Sequence, residues 1–284
     1  MKPTRLPAFG LALMLAALGA TQTMADAHSG NELVKDTDVE FIPLNPARGD
    51  ASPRSGALWG DIRKDVPSGM LVTFAEGFQS PPHIHNITYR AVVISGVVHN
   101  DDPDAAKLWM GPGSFWTQPL GENHITAAES ADGERSMIFL EILSGPYLVK
   151  PADEAFDGGE LPVNLETRNI MWLDAEDVKW VDGDGGAQVA FLWGSLEGNE
   201  KNGTFIKLPA GYAGTLSTDA PLMRAVTVQG STSVTLSGEE TVNTLNPGSY
   251  FGSKGDASHA VSCGADADCI LYMHTEGKYA LTAS

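Results

Sequence analysis

Residues 77–96 read Gly-Phe-Gln-Ser-Pro-Pro-His-Ile-His-Asn-Ile-Thr-Tyr-Arg-Ala-Val-Val-Ile-Ser-Gly. The run from Thr88 to Ser95 is rich in Val and Ile and stops at Gly96, which predicts a strand ended by a turn. Side chains of an extended chain alternate faces, so His83 and His85 share one face and Ile84 takes the other. Without a bulge, Ile87 and Tyr89 continue the histidine face. A second stretch, 113–124, reads Gly-Ser-Phe-Trp-Thr-Gln-Pro-Leu-Gly-Glu-Asn-His. There Pro119-x-Gly121 shapes a turn that brings His124 to another strand. Imidazoles aimed into an apolar interior need a partner, a metal or water. Three neutral imidazoles can hold a divalent metal on one side and leave positions open for water or substrate.

Working outward, the chain repeats itself. Leu58-Trp59-Gly60 recurs as Leu192-Trp193-Gly194 at an offset of 134, and Gly69, Gly77, Arg90-Ala91-Val92 and Gly96 find Gly203, Gly211, Arg224-Ala225-Val226 and Gly230 at that same offset. Pro112-Gly113-Ser114 and His124 meet Pro247-Gly248-Ser249 and His259 at an offset of 135. One register held over this length implies a duplication. Short runs rich in Val, Ile, Thr and aromatics alternate with Gly and Pro in both copies, and no helical period appears, so the expected class is all-β. The boundary falls in 151–165, dense in Pro, Gly and acids and expected to be an exposed linker between units at 26–150 and 166–284.

The duplication is unequal. His83, His85 and Tyr89 correspond to Ser217, Asp219 and Met223, and only His259 keeps its counterpart. A metal site is therefore expected in the first copy alone, the second being a degenerate barrel.

The chain has 284 residues, 18 Lys and Arg against 36 Asp and Glu, and a formal net charge of −18. That balance argues against nucleic-acid partners and anionic membrane surfaces. Residues 1–25 combine a cationic start, an apolar run from Leu6 to Ala20 and a small-residue end, the pattern of a cleaved export signal. Cleavage deletes Lys2 and Arg5 and no acid, which takes the charge to −20. The expected location is periplasmic or secreted. In such a compartment Cys263 and Cys269, flanking a polar turn, are expected to form a disulfide.

The patterns Gly77-x5-His83-x-His85-x3-Tyr89-x6-Gly96 and Gly113-x5-Pro119-x-Gly121-x2-His124 resemble the two motifs of the cupin superfamily. Every spacing agrees. Tyr89 stands where the family usually has a metal-binding Glu, and Ala128 where it usually has Asn. The resemblance implies two tandem cupin barrels of the double-stranded β-helix or jelly-roll type. The Leu-Trp-Gly and Arg-Ala-Val landmarks are similar to an uncharacterised bicupin family grouped with the zinc cupins of anti-sigma factors. The resemblance further implies a metal held by His83, His85 and His124, with Fe, Zn or Mn foremost and Cu or Ni also compatible. Tyr89 is the candidate catalytic residue. The fourth ligand is left open among Tyr89, Gln79, Gln118, Glu122 and water.

A three-His site without the carboxylate resembles the ferrous dioxygenases among cupins. It carries one more positive charge than the usual site, favouring a small anionic, chelating substrate. Lewis-acid isomerisation, lyase or hydrolytic chemistry is the alternative, and a non-catalytic periplasmic metal- or ligand-binding sensor the third reading. The partner expected is a small molecule, and the family habit of pairing edge strands suggests a homodimer.

Overall fold

A computed structural model describes residues 30–130, 133, 135–181 and 185–284. The proposed signal at 1–25 and His28 lie outside the described residues. The fold is all-β, two tandem cupin barrels joined back to back.

Each copy contributes one large antiparallel sheet. The first runs in the order Val163–Leu165, Phe115–Gln118, Tyr89–Ser95, Ser136–Ile142, Ser68–Phe74, Arg54–Trp59, Ile42–Pro43. The second runs Glu32–Val34, Tyr250–Ser253, Met223–Gln229, Cys269–Glu276, Lys201–Leu208, Gln188–Gly194. A smaller sheet completes each barrel: Phe78–Gln79, Ile125–Glu129 and Val97–Asp101 in the first, and five strands from Ala213 to Ala283 in the second. Apolar clusters fill both barrels, one around Val72, Trp116 and Leu140 and one around Leu216, Phe251 and Leu271. A third joins Trp59, Val92, Phe115 and Phe139 to Phe205, Val226, Tyr250 and Tyr272, so the two large sheets bury their outer faces against each other.

The repeated landmarks build this central interface. A bulge beside Trp59 sets it opposite Gly69, and one beside Trp193 sets it opposite Gly203. Each indole lies over its glycine, where a Cβ would strike the ring. The other copy's arginine then covers the indole: Arg90 lies 4.1 Å from the Trp193 ring and Arg224 4.7 Å from the Trp59 ring. Near the local two-fold, Glu141 (paired with Gly69 and Arg90) and His274 (paired with Gly203 and Arg224) are equivalent residues that meet each other. Their Oε2 and Nδ1 lie 2.8 Å apart, both residues are buried, and Tyr272 Oη donates to the same carboxylate. Burial works to raise the Glu141 pKa, but His274, Tyr272 and Arg90 together hold it below its ordinary value.

The copies also exchange arms. Glu32–Val34, expected within the first unit, lies on the second sheet with Leu33 opposite Phe251. Val163–Leu165 lies on the first sheet with Asn164 opposite Trp116. After each arm a backbone N–H binds an equivalent serine: Asp36 to Ser249 Oγ and Thr167 to Ser114 Oγ, both at 3.0 Å. The 151–165 stretch is largely exposed, yet each of its ends is paired, Val149–Pro151 on His83–His85 and Val163–Leu165 on the sheet edge. Cys263 and Cys269 form the expected disulfide.

Candidate metal centre

The strand His83–His85 places Ile84 in the core, fully buried, and turns both histidines into the barrel. His124 arrives opposite His83, the two residues exchanging backbone hydrogen bonds of 3.0 Å in both directions. Gly121 makes that approach possible: its φ of 75° suits glycine, its N–H binds the His85 carbonyl at 2.8 Å, and a Cβ there would strike Phe156.

Backbone carbonyls orient all three rings. Nδ1 of His83 faces Pro81 O at 2.9 Å, that of His85 faces Leu148 O at 3.2 Å, and that of His124 faces Glu122 O at 3.2 Å. A carbonyl only accepts, so each Nδ1 carries the proton and each Nε2 offers a lone pair. One ring nitrogen from each residue lies within 4.8 Å of the others. Among the described residues, His124 Nε2 is buried with no hydrogen-bond partner. Burial, then the neighbouring histidines, lowers the pKa of His124 to about 3 and that of His85 well below its ordinary value; burial also lowers that of His83, against the pull of Pro81. The rings are thus neutral near pH 7. Three converging neutral donors, one of them otherwise orphaned in the interior, fit a divalent metal.

The candidates for a fourth donor separate sharply. Tyr89 faces the same cavity, its ring edge-on to His85 at 5.2 Å. Its hydroxyl donates to Asn100 Oδ1 at 2.9 Å and receives a long bond from Trp116 Nε1 at 3.5 Å. Asn100 is held in turn by Gln118 Oε1 and Thr126 Oγ1, each at 2.8 Å. Burial raises the Tyr89 hydroxyl well above its ordinary pKa. Gln118 spends its amide on Asn100 and the Glu122 carbonyl, and Gln79 is exposed. Glu122 lies in a separate pocket with Asp157 and Glu160 and is pushed up by partial burial, then by Asp101, Asp102 and Asp157.

Two residues of the site have no place in either motif. Asn100 locks Tyr89. Tyr147, beyond the last strand of the first copy, sets its hydroxyl 3.2 Å from His85 Nε2. A polar residue two positions after Val98 is the sequence signal for the first, and a Pro-Tyr step for the second.

His83 and His85 of the triad open on a cavity of about 790 Å³. Its wall is apolar, with Val72, Phe74, Phe78, Trp116, Ile138 and Leu140, and the exposed Arg48 and Arg63 also line it. No Asp or Glu is among its lining residues.

The second copy shows the opposite state. His259 accepts from Ser237 N–H at Nδ1 and pairs with Ser253 Oγ through Nε2 at 3.1 Å, so both nitrogens are spent. Met223 is buried in the core and Asp219 is exposed. His99 faces Leu108 O and Trp109, and His274 belongs to the central interface.

The family model described as a domain of unknown function, DUF4437, matches residues 32–282. No curated protein matches the sequence. Solved structures share the fold at low identity. A protein of Nostoc punctiforme, provisionally assigned as a dioxygenase, is 14% identical with a TM-score of 0.65, over 87% of this chain and 83% of that one. The Bacillus subtilis oxalate decarboxylase, with Mn(II) centres, is 12% identical with a TM-score of 0.57, over 89% and 79%. Vicilin from hazelnut, Corylus avellana, is 10% identical with a TM-score of 0.57, over 88% and 87%. An enzyme and a vicilin on one architecture show why the site, not the fold, has to decide function.

Proposed function

The chain belongs to the DUF4437 family, whose description names no activity, and we propose from its site that it is a metal-dependent oxidoreductase of dioxygenase type acting on a small oxygen-rich or aromatic molecule. The observation that carries this reading is the pairing of three neutral, converging imidazoles with an apolar cavity lined by no carboxylate. Hydrolysis and isomerisation draw on a general base. Here the histidines are committed as donors, and burial holds the Tyr89 hydroxyl protonated at neutral pH. An electron-rich anionic substrate needs no such base. When bound, a redox-active divalent metal would supply the one-electron chemistry that couples such a substrate to dioxygen.

The protein's own groups then orient and exclude. Phe74, Phe78, Ile138 and Leu140 take the substrate's apolar body and displace water. Tyr89, its hydroxyl fixed by Asn100, presents a rigid ring beside His85 and acts as a positioning residue. The neighbour assigned as a dioxygenase agrees with this reading, but at 14% identity it speaks for the fold alone. Export is part of the proposal: residues 1–25 carry the signal pattern, and the Cys263–Cys269 disulfide suits an oxidising compartment.

The test is oxygen uptake by protein reconstituted with Fe(II) or Zn(II), across catechols, flavonols, diketones and thiols. Uptake with iron and none with zinc is expected. Equal turnover with zinc, or turnover without oxygen, moves the assignment to Lewis-acid chemistry. No turnover with any metal turns the site into a binding module.

A further inference from the structure

Two aromatic hydroxyls face the triad, and they differ in what they are free to do. Tyr89 spends its proton on Asn100. Among the described residues, Tyr147 has one hydrogen-bond partner for its hydroxyl, and that partner is His85 Nε2, the atom the metal reading needs. The two rings stack at 4.4 Å with planes 23° apart. Two donors that each sit about 2.1 Å from one metal lie roughly 3.0–3.4 Å apart when they subtend 90–110° at it. The 3.2 Å between Tyr147 Oη and His85 Nε2 is that spacing.

The backbone holds this arrangement from both sides. Tyr147 N–H donates to Ile62 O at 2.8 Å. Asn86 clamps the neighbouring residues, its Nδ2 donating to Pro146 O at 2.9 Å and its Oδ1 accepting from Leu148 N–H at 2.8 Å. Leu148 O is also the acceptor for His85 Nδ1. One short segment therefore orients His85 from behind through Nδ1 and presents a hydroxyl to its Nε2.

We infer that Tyr147 is the fourth protein donor to the metal, filling through space the place where the sequence motif has Tyr89. The inference rests on the triad being a metal site. It makes the donor set three imidazoles and one phenol oxygen, delivered by a loop outside both motifs.

The test loads the full chain with Fe(III) alone and records its visible spectrum, since a phenolate oxygen on ferric iron gives a charge-transfer band that imidazoles and water do not. Wild type and Tyr89→Phe are expected to show the band. Tyr147→Phe is expected to lose it and to bind the metal about tenfold or more weakly. The near-ultraviolet circular dichroism of the second barrel checks that this variant is folded. A band that survives in Tyr147→Phe, or a wild type that holds one iron per chain without the band, overturns the assignment and leaves the triad standing. A wild type that takes up no iron, or a His83→Ala/His85→Ala variant that keeps it, overturns the triad reading and the assignment with it.

Discussion

His124 and His259 are the same residue in two copies of one barrel, and they have come to opposite ends. His124 keeps a buried Nε2 with no partner among the described residues, next to two more imidazoles. His259 has a hydrogen-bond partner on each ring nitrogen, a backbone N–H and a serine hydroxyl. The large sheets keep the same register in both copies along the Arg-Ala-Val strand, but beside the histidines the pairing differs by one residue: His83 faces His124, whereas Leu216, one position before the counterpart of His83, faces His259. The two copies thus differ at the site in local pairing, in the residues that face the histidine, and in whether its Nε2 is satisfied. An orphaned buried nitrogen costs free energy, which metal ligation would recover.

The comparison is broken most severely by removing each histidine in turn. His124→Ala is expected to lose metal binding by orders of magnitude, and His259→Ala to leave it unchanged, as measured by zinc affinity in chelator competition. Loss in the second variant would mean that the second barrel is not silent.

The interface between the copies gives the next largest effect. Glu141→Ala leaves His274 buried without its partner, and a loss of about 3–5 kcal/mol is expected in urea unfolding. Little or no change would mean that the pair is not needed to join the barrels.

Acid supplies a third contrast. In the metal-free protein the folded pKa of His124 is about 3 and that of His259 about 4, both below the ordinary value of 6.5. The unfolded chain therefore takes up protons first. Stability is full above about pH 6.5 and is lost as pH falls toward 4 and then 3. The loss between pH 7 and 5 is on the order of 2 kcal/mol for each buried histidine. Urea midpoints at the two pH values should show it, with a smaller drop in His124→Asn. Bound metal should protect the first copy, because it competes with protons for the same nitrogens.

The smallest effects come from the paired indoles. Arg90→Ala and Arg224→Ala each remove one cation over one ring, and a loss of about 1 kcal/mol is expected from either in thermal melting. Very unequal losses would show that the central interface is less symmetric than its register.

Much of this was legible in the residues. The spacing of Gly, His and Pro located the triad, because strand alternation and a turn with positive φ leave few ways to bring three imidazoles together. The repeat of Leu-Trp-Gly and Arg-Ala-Val located the duplication, though not its purpose: each arginine covers the other copy's indole, a contact that crosses between the copies. The exchanged arms were not legible, since a three-residue strand such as Glu32–Val34 has no period to read and its partner is set by the far sheet. Tyr147 was hidden for a related reason. It reaches His85 from a loop 62 residues away, held by its own N–H on the Ile62 carbonyl and by the Asn86 side chain on its neighbours Pro146 and Leu148, contacts that no sequence period announces.

The central claim is one metal per chain, held by the first copy. Elemental analysis of purified protein, wild type beside His83→Ala/His85→Ala, tests it most directly. The account predicts one divalent metal per chain in the wild type and none in the variant. Equal metal in both, or two per wild-type chain, would contradict it.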